Sequence, residues 1–157
     1  NTGFPGDLVT AEGFDFGTLE TIIFDNTIET VFNPSLNSDV ALFFTIPFNE
    51  EKGSRFGKQD VSFIFSSGEK ISKDFTILQP APEILRTIPE LPLVGETVIV
   101  EGEWLQNTSE ILFEETLLVF SQIDGNRLSV EIPETITEPR GKLKITTPSS
   151  FGSNSPI

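Results

Sequence analysis

The chain contains no cysteine and no histidine in its 157 residues. The first absence removes disulfides, thiolate nucleophiles and thiolate-held metal. The second removes any Ser-His-Asp triad and any His-ligated zinc. Methionine and tyrosine are missing too, and Trp104 is the single tryptophan. No run of 18 apolar residues occurs, so no segment reads as a membrane-spanning helix. Basic residues are scarce, 10 against 24 acidic ones, for a net charge of −14. Divided after Gln79, each side holds 12 acids and 5 bases and so carries 5 − 12 = −7. Acidity spread this evenly reads as a solvated surface. It repels phosphate backbones and anionic headgroups, which argues against nucleic acid and anionic membrane as partners. The opening NTGFPGD has no starting Met and no leader pattern, and reads as a processed or excised piece of something longer.

What is present favours strands. Phe occurs 15 times beside frequent Ile, Leu and Val, and 12 Gly and 11 Pro punctuate the chain. The Phe content reads first as core filling and second as a stacking platform. In the first half DLVTAEG, ETIIFDN, DVALFFTIP, DVSFIFSSG and DFTIL read as successive strands. Val61, Phe63 and Phe65 share one face by period two. The polar stretch NEEKGSRFGKQD reads as a long loop. In the second half PEILRTIP, GETVIVEG, SEILFEE, TLLVFSQ, NRLSVEIP and GKLKITTP read the same way, with a hairpin turn at Asp124-Gly125-Asn126. Leu128, Val130 and Ile132 fall on one face. No segment sustains a helical period over 11 residues.

The halves echo each other. Gly6 and Gly95 are 89 positions apart (95 − 6), as are Gly13 and Gly102, and Phe24 and Phe113. Pro47 and Pro133 are 86 apart (133 − 47), and Phe63 and Ile145 are 82 apart (145 − 63). The offset shrinks only across stretches that read as loops. This predicts two modules, residues 1–79 and 80–157, each of six or seven short antiparallel strands packed as a sandwich. Gln79-Pro80-Ala81-Pro82 predicts a stiff, extended joint. The second module opens with PEILRTIP ahead of Gly95, whereas the first has only NTGFP ahead of Gly6. Its N-terminal strand is expected to be missing or shortened.

The ordered motifs PEI, GETVIVEGEWL, ILF, LSVEIP and GKLKITTPSSFG, with GDLVTAEGFDF, IIF, LFFTIP, GKQDVSFIFSSG and DFTIL in the first half, resemble the IPT/TIG family of immunoglobulin-like domains. The resemblance covers nearly the whole chain, less that first strand. Trp104 and Leu105 stand where a small residue and Phe are usual in the family, and Ile46 and Ile132 replace Val before proline. The resemblance implies an all-β chain of two tandem immunoglobulin-like sandwiches of the E-set type. Similar domains occur in receptors, transcription factors, polysaccharide-acting enzymes and cell-surface proteins of Bacteroidetes-type gut bacteria. In the surface proteins they look like serial spacers between a lipid-anchored N-terminus and a distal glycan-binding domain. The resemblance thus implies an extracellular or cell-surface location, with lipid anchorage to the outer membrane through a region ahead of this piece. It implies neighbouring domains of a longer chain as partners and polysaccharide as the ligand class. DNA-binding relatives use loops rich in Arg and Lys, and the matching connections here are acidic or neutral.

The reactive inventory is thin. Glu12, Glu101, Glu114 and Glu115 read as solvated rim acids rather than a glycosidase pair. Asp15, Asp25, Asp39 and Asp60 are oxygen-rich strand ends without an EF-hand loop spacing. GSRFG lacks the strand-to-helix setting of a phosphate loop. Asn107-Thr108-Ser109 fits a glycan acceptor pattern, which carries weight only outside a bacterial host. No catalytic residue, metal site or cofactor is expected. Trp104 and Phe56 are the candidates for ligand or interdomain contact: Trp104 as the lone large aromatic, Phe56 as an apolar residue in a charged loop. The leading expectation is a non-catalytic spacer of an exported surface protein. The alternatives are a direct polysaccharide- or protein-binding module, and accessory domains of a polysaccharide-degrading enzyme.

Overall fold

Alternating apolar residues become strands throughout the chain in the computed structural model, which describes residues 1–52, 54–137, 140–148 and 153–156. Two units separate along the chain, Asn1–Gln79 and Pro80–Ile157. Each has its own hydrophobic core.

Unit one runs β1 (Thr2–Gly3), β2 (Leu8–Glu12), β3 (Leu19–Phe24), β4 (Ile28–Thr30), β5 (Ala41–Thr45), β6 (Gly57–Phe65) and β7 (Lys70–Ile77), with short 3-10 turns between some of them. Five strands form a sheet in the order β1-β7-β6-β3-β4, and β2 pairs with β5 in a second sheet. The two inner faces meet in one core. Ile22 and Phe24 of β3, Val61, Phe63 and Phe65 of β6, and Leu42 and Phe44 of β5 are all buried there. Each buried Phe contributes roughly 1.5–3 kcal/mol. Three departures from the sequence reading have local causes. β6 starts at Gly57, inside the expected polar loop, because Gln59 continues the inward phase of Val61 and is itself buried. Its amide donates to the Arg55 carbonyl, which is what lets a polar side chain lie inside. β7 starts at Lys70 rather than Asp74, since pairing with β6 runs as far as Ile64↔Lys70. β4 arises because Asp25 and Asn26 both adopt positive φ, 47° and 58°, and reverse the chain after Phe24.

Unit two runs β8 (Glu83–Ile88), β9 (Thr97–Glu103), β10 (Glu110–Phe113), β11 (Thr116–Leu117), β12 (Val119–Asp124), β13 (Arg127–Glu131), β14 (Lys142–Thr146) and β15 (Ser153–Pro156). One sheet has the order β12-β13-β9-β8 and the other β11-β10-β14-β15. TLLVFSQ, which reads as one strand, is divided between them. Leu117 pairs with Leu112 in one sheet and Val119 with Glu131 in the other. Leu118 between them is 3% exposed and fills the core at the crossing. The expected hairpin forms with Asp124 paired to Arg127 across Gly125-Asn126. Leu128, Val130 and Ile132 are all buried, as their shared face predicts.

The two units reuse the same hydrogen bonds. Gly6 N–H donates to Ile46 C=O, and Gly95 N–H to Ile132 C=O. Both glycines have positive φ, 86° and 81°, which a residue with a Cβ adopts only under strain. Phe4 N–H donates to the Asp7 carboxylate and Leu93 N–H to that of Glu96, each at 2.9 Å. Further on, Asp25 N–H donates to Asp60 C=O, and Glu114 N–H to Lys142 C=O. These pairs follow the offsets 89, 86 and 82 read from the sequence. The units differ in their second sheets. Among the described residues, β2 lacks the neighbour that β8 gives β9, and β5 has only the antiparallel bridge Phe32↔Phe44 where β13 has β12. The first strand of unit one is shortened to β1, which lies parallel on β7 and not beside β2.

At Gly102 the backbone of β8 comes so close that an added Cβ meets the Glu83 carbonyl oxygen. Gly102→Ala should therefore destabilise unit two by about 1–3 kcal/mol. Urea unfolding followed by Trp104 fluorescence checks this, and an unchanged midpoint contradicts the close approach.

Candidate functional site

Trp104 follows β9 with φ 57° and is half-buried. A positive φ is unusual for a bulky residue. The position explains it. Leu105, next in the chain, is fully buried, and its N–H donates to the Gly125 carbonyl. The kink at Trp104 turns Leu105 into the core. Asp15 holds the same place 89 residues earlier with φ 63°, and Phe16 then packs on the unit-one core with its N–H on Asp39 C=O. The indole is thus carried on a structural corner of unit two.

Phe56 is half-buried and stacks on Phe48, with ring centroids 4.4 Å apart and planes at 15°. Both rings pack against the unit-one core. Nearby in sequence, the Arg55 guanidinium reaches Asp25 at 2.9 Å. Trp104 and Phe56 belong to different units.

Asp15, Asp25, Asp39 and Asp60 serve local contacts. Asp39 holds the Asp15 turn by accepting from Gly17 N–H, while Asp25 lies beside Asp60 through a backbone bond and faces Arg55. No group of three or more potential metal ligands occurs among the described residues. Asp74 is held at 2.7 Å by Lys58, whose ammonium is stabilised first by that hydrogen bond and then by the charge, raising its pKa. At the β12–β13 turn, Arg127 lies 2.7 Å from Asp124. The hydrogen bond from Arg127, helped by Asn126 N–H, lowers the Asp124 carboxyl below the usual range.

The sequence reading missed the apolar clefts. One of about 480 Å³ opens in unit one between β2 and β7, with Phe44 and Phe63 in its floor and Ile71 and Phe75 along one wall. Phe14, 81% exposed, stands at its rim, and Asn1 also lines it. A second, of about 740 Å³, lies beside β5 against Leu8, Val31 and Leu36, all strongly exposed. A smaller one, of about 380 Å³, in unit two meets Leu117 and Val119. A signal for the first cleft was present. Phe14 occupies the place held by Glu103 in the second half, an aromatic where its counterpart is charged. The first cleft carries Glu12, Lys73 and Asp74 at its edge. Asp74 there is paired with Lys58.

Two outcomes follow from these contacts. Phe56→Ala should lower the stability of unit one by about 1–3 kcal/mol, with Phe56→Leu losing less; chemical denaturation measures both. For Asp124, the folded-state pKa is depressed. Its stabilising contribution is therefore present above the unfolded-state value and is lost as pH falls through the lowered folded value. A carboxyl NMR titration should give a midpoint below the ordinary 3.8, moving back toward it in Arg127→Ala.

No family model matches the sequence, and no curated protein does. Solved structures show the fold. The surface glycan-binding protein PbSGBP-B from Prevotella bryantii superposes with a TM-score of 0.66 at 18% identity, over 98% of this chain and 36% of that one. A structure solved with a xylogluco-oligosaccharide superposes with a TM-score of 0.62 at 14% identity, over 99% of this chain and 38% of that one. The chain thus spans little more than a third of the length of the proteins it matches. It shares with them an all-β, immunoglobulin-like architecture.

Proposed function

We propose that this chain is a non-catalytic spacer within an exported cell-surface protein, holding a glycan-binding domain away from a lipid-anchored outer-membrane end. In this reading residues 1–79 and 80–157 are two copies of one IPT/TIG-type module. The hydrogen bonds shared at offsets of 89, 86 and 82 support the copy relationship. The observation that carries the functional reading is the pattern of coverage. Nearly all of this chain lies on about a third of a surface glycan-binding protein, leaving most of that protein outside the match. The site chemistry agrees. The two clefts of unit one are lined by Phe rather than by convergent polar groups. Sugar sites combine apolar platforms with placed hydrogen-bonding groups. Trp104 is seated on a backbone corner, and its emission reports any ligand that settles near it.

Two measurements test the role. Titration of the chain alone with a broad polysaccharide panel, followed by Trp104 fluorescence, should give no response. A saturable response would move binding to this chain and end the spacer reading. In the longer protein, deleting one unit should reduce glycan capture at the cell surface while leaving the solution affinity of the purified protein within about twofold, since contacts and not reach set that affinity. Equal loss in both settings would contradict it.

A further inference from the structure

We propose that the groove beside β5, on the outer face of unit one, is a docking surface for a polypeptide segment that carries aliphatic side chains flanked by lysine or arginine. This inference does not rest on the spacer role.

Unit two shows that the fold does not require such a surface. The outward positions of β2 are Leu8, Thr10 and Glu12, and those of β5 are Ala41, Phe43 and Thr45. Leu8 pairs with Thr45, and Thr10 with Phe43. At the offsets 89 and 86, unit two places Thr97 where unit one has Leu8, Ser129 where it has Phe43, and Glu131 where it has Thr45. Unit two thus turns hydroxyls and a carboxylate outward where unit one turns a leucine and a phenylalanine. Val31 and Leu36 extend the patch. Leu8, Val31 and Leu36 are 70%, 87% and 68% exposed, and all three line the same groove of about 740 Å³. Single exposed aliphatics are ordinary, whereas three converging on one groove mark a contact surface.

The surface is preformed. Asn33 caps the 3-10 turn Pro34–Leu36 by accepting from Ser35 N–H. Asn37 accepts from Phe43 N–H, and the Ser38 hydroxyl accepts from the N–H groups of Val40 and Ala41. These bonds tie the turn that carries Leu36 to β5, so docking has little chain left to order.

The polar groups narrow the occupant. The outer edge of β5 is already engaged. Besides Asn37 on Phe43 N–H, the Thr30 hydroxyl donates to the Thr45 carbonyl, and Phe32 bridges to Phe44. Strand addition therefore finds its backbone partners taken. Glu29, Asn33 and Thr30 line the groove, and each makes a bond within the fold; Thr21 donates to Glu29 at 2.6 Å. A sugar depends on placed donors and acceptors and gains little here, while aliphatic side chains find an apolar lining. Charge then sets the flanks. Glu29 is the one charged residue lining the groove among the described residues, and unit one carries −7. A second copy would bring −14 against −14, and an anionic partner is repelled in the same way. A basic segment is drawn in, and Glu29 keeps acceptor capacity for its cation.

Peptide selection on the whole chain tests this. A random peptide library displayed on phage is panned on the wild-type chain and depleted on a chain carrying Leu8→Thr, Val31→Thr and Leu36→Ser. All three positions are exposed, so the variant should keep its Tm within about 2 °C. Should it unfold, Leu36→Ser alone serves for the depletion. The surviving peptides should combine aliphatic residues with Lys or Arg. By isothermal titration the best of them should bind the wild type about tenfold more tightly than the variant. That binding should weaken about threefold or more between about 0.01 M and about 0.15 M salt, and also in Glu29→Gln. Loss of every peptide in the depletion overturns the proposal, as do survivors without basic residues or binding indifferent to salt. Self-association of the wild type that the variant lacks overturns it by placing a second copy in the groove. An oligosaccharide that shifts the Phe43 amide signal in NMR overturns it by making the groove a sugar site.

Discussion

Each unit depends on contact between the inner faces of its two sheets. In unit one, Phe24 meets Phe75 and Phe44 edge-on or tilted, and Phe44 meets Phe63, with ring centroids about 6 Å apart. Four aromatic side chains from four strands thereby fix the spacing of the sheets. In unit two, branched aliphatics do the same work, with Val100, Leu128, Val130, Ile111 and Ile145 fully buried. The two cores reach similar burial with different shapes, which is what volume-conserving repacking allows.

The frame around these cores is set by a few backbone corners. The glycine turn before β2 and β9, the left-handed residue after each, and the left-handed residue after Phe24 and Phe113 all recur in both units. Side-chain identity at these corners is free to change, from Asp15 to Trp104 and from Asp25 to Glu114. The hydrogen bonds they enforce do not change. Trp104 is therefore explained first as the occupant of a corner whose task is to deliver Leu105 to the core. Where unit one lacks the cover that unit two has, its inward residues are left half-exposed. The apolar cleft between β2 and β7 is the direct consequence.

Much of this was legible in the sequence. Period-two alternation located β9, β13 and the inward face of β6, an apolar run located β5, and Asp-Gly located the hairpin before Arg127. The shortened opening of the first half was visible in the five residues ahead of Gly6. Other features were not legible. Gln59 hides the start of β6 because its polarity breaks the apolar pattern, although its amide is satisfied inside. Leu118 hides a change of sheet because a crossing residue is as apolar as a strand residue. Phe14 looked like one more core aromatic, and only its surroundings make it a rim residue.

The sequence by itself determined the strands, their inward faces and the spacing of the shared corners, because these follow from local rules of alternation and turn geometry. Tertiary structure alone decided which strand edges are covered. Edge pairing is a contact between residues far apart in the chain, so no local pattern encodes whether β2 has a second neighbour besides β5. The difference between buried Val98 and half-exposed Val9 is written only in that long-range pairing.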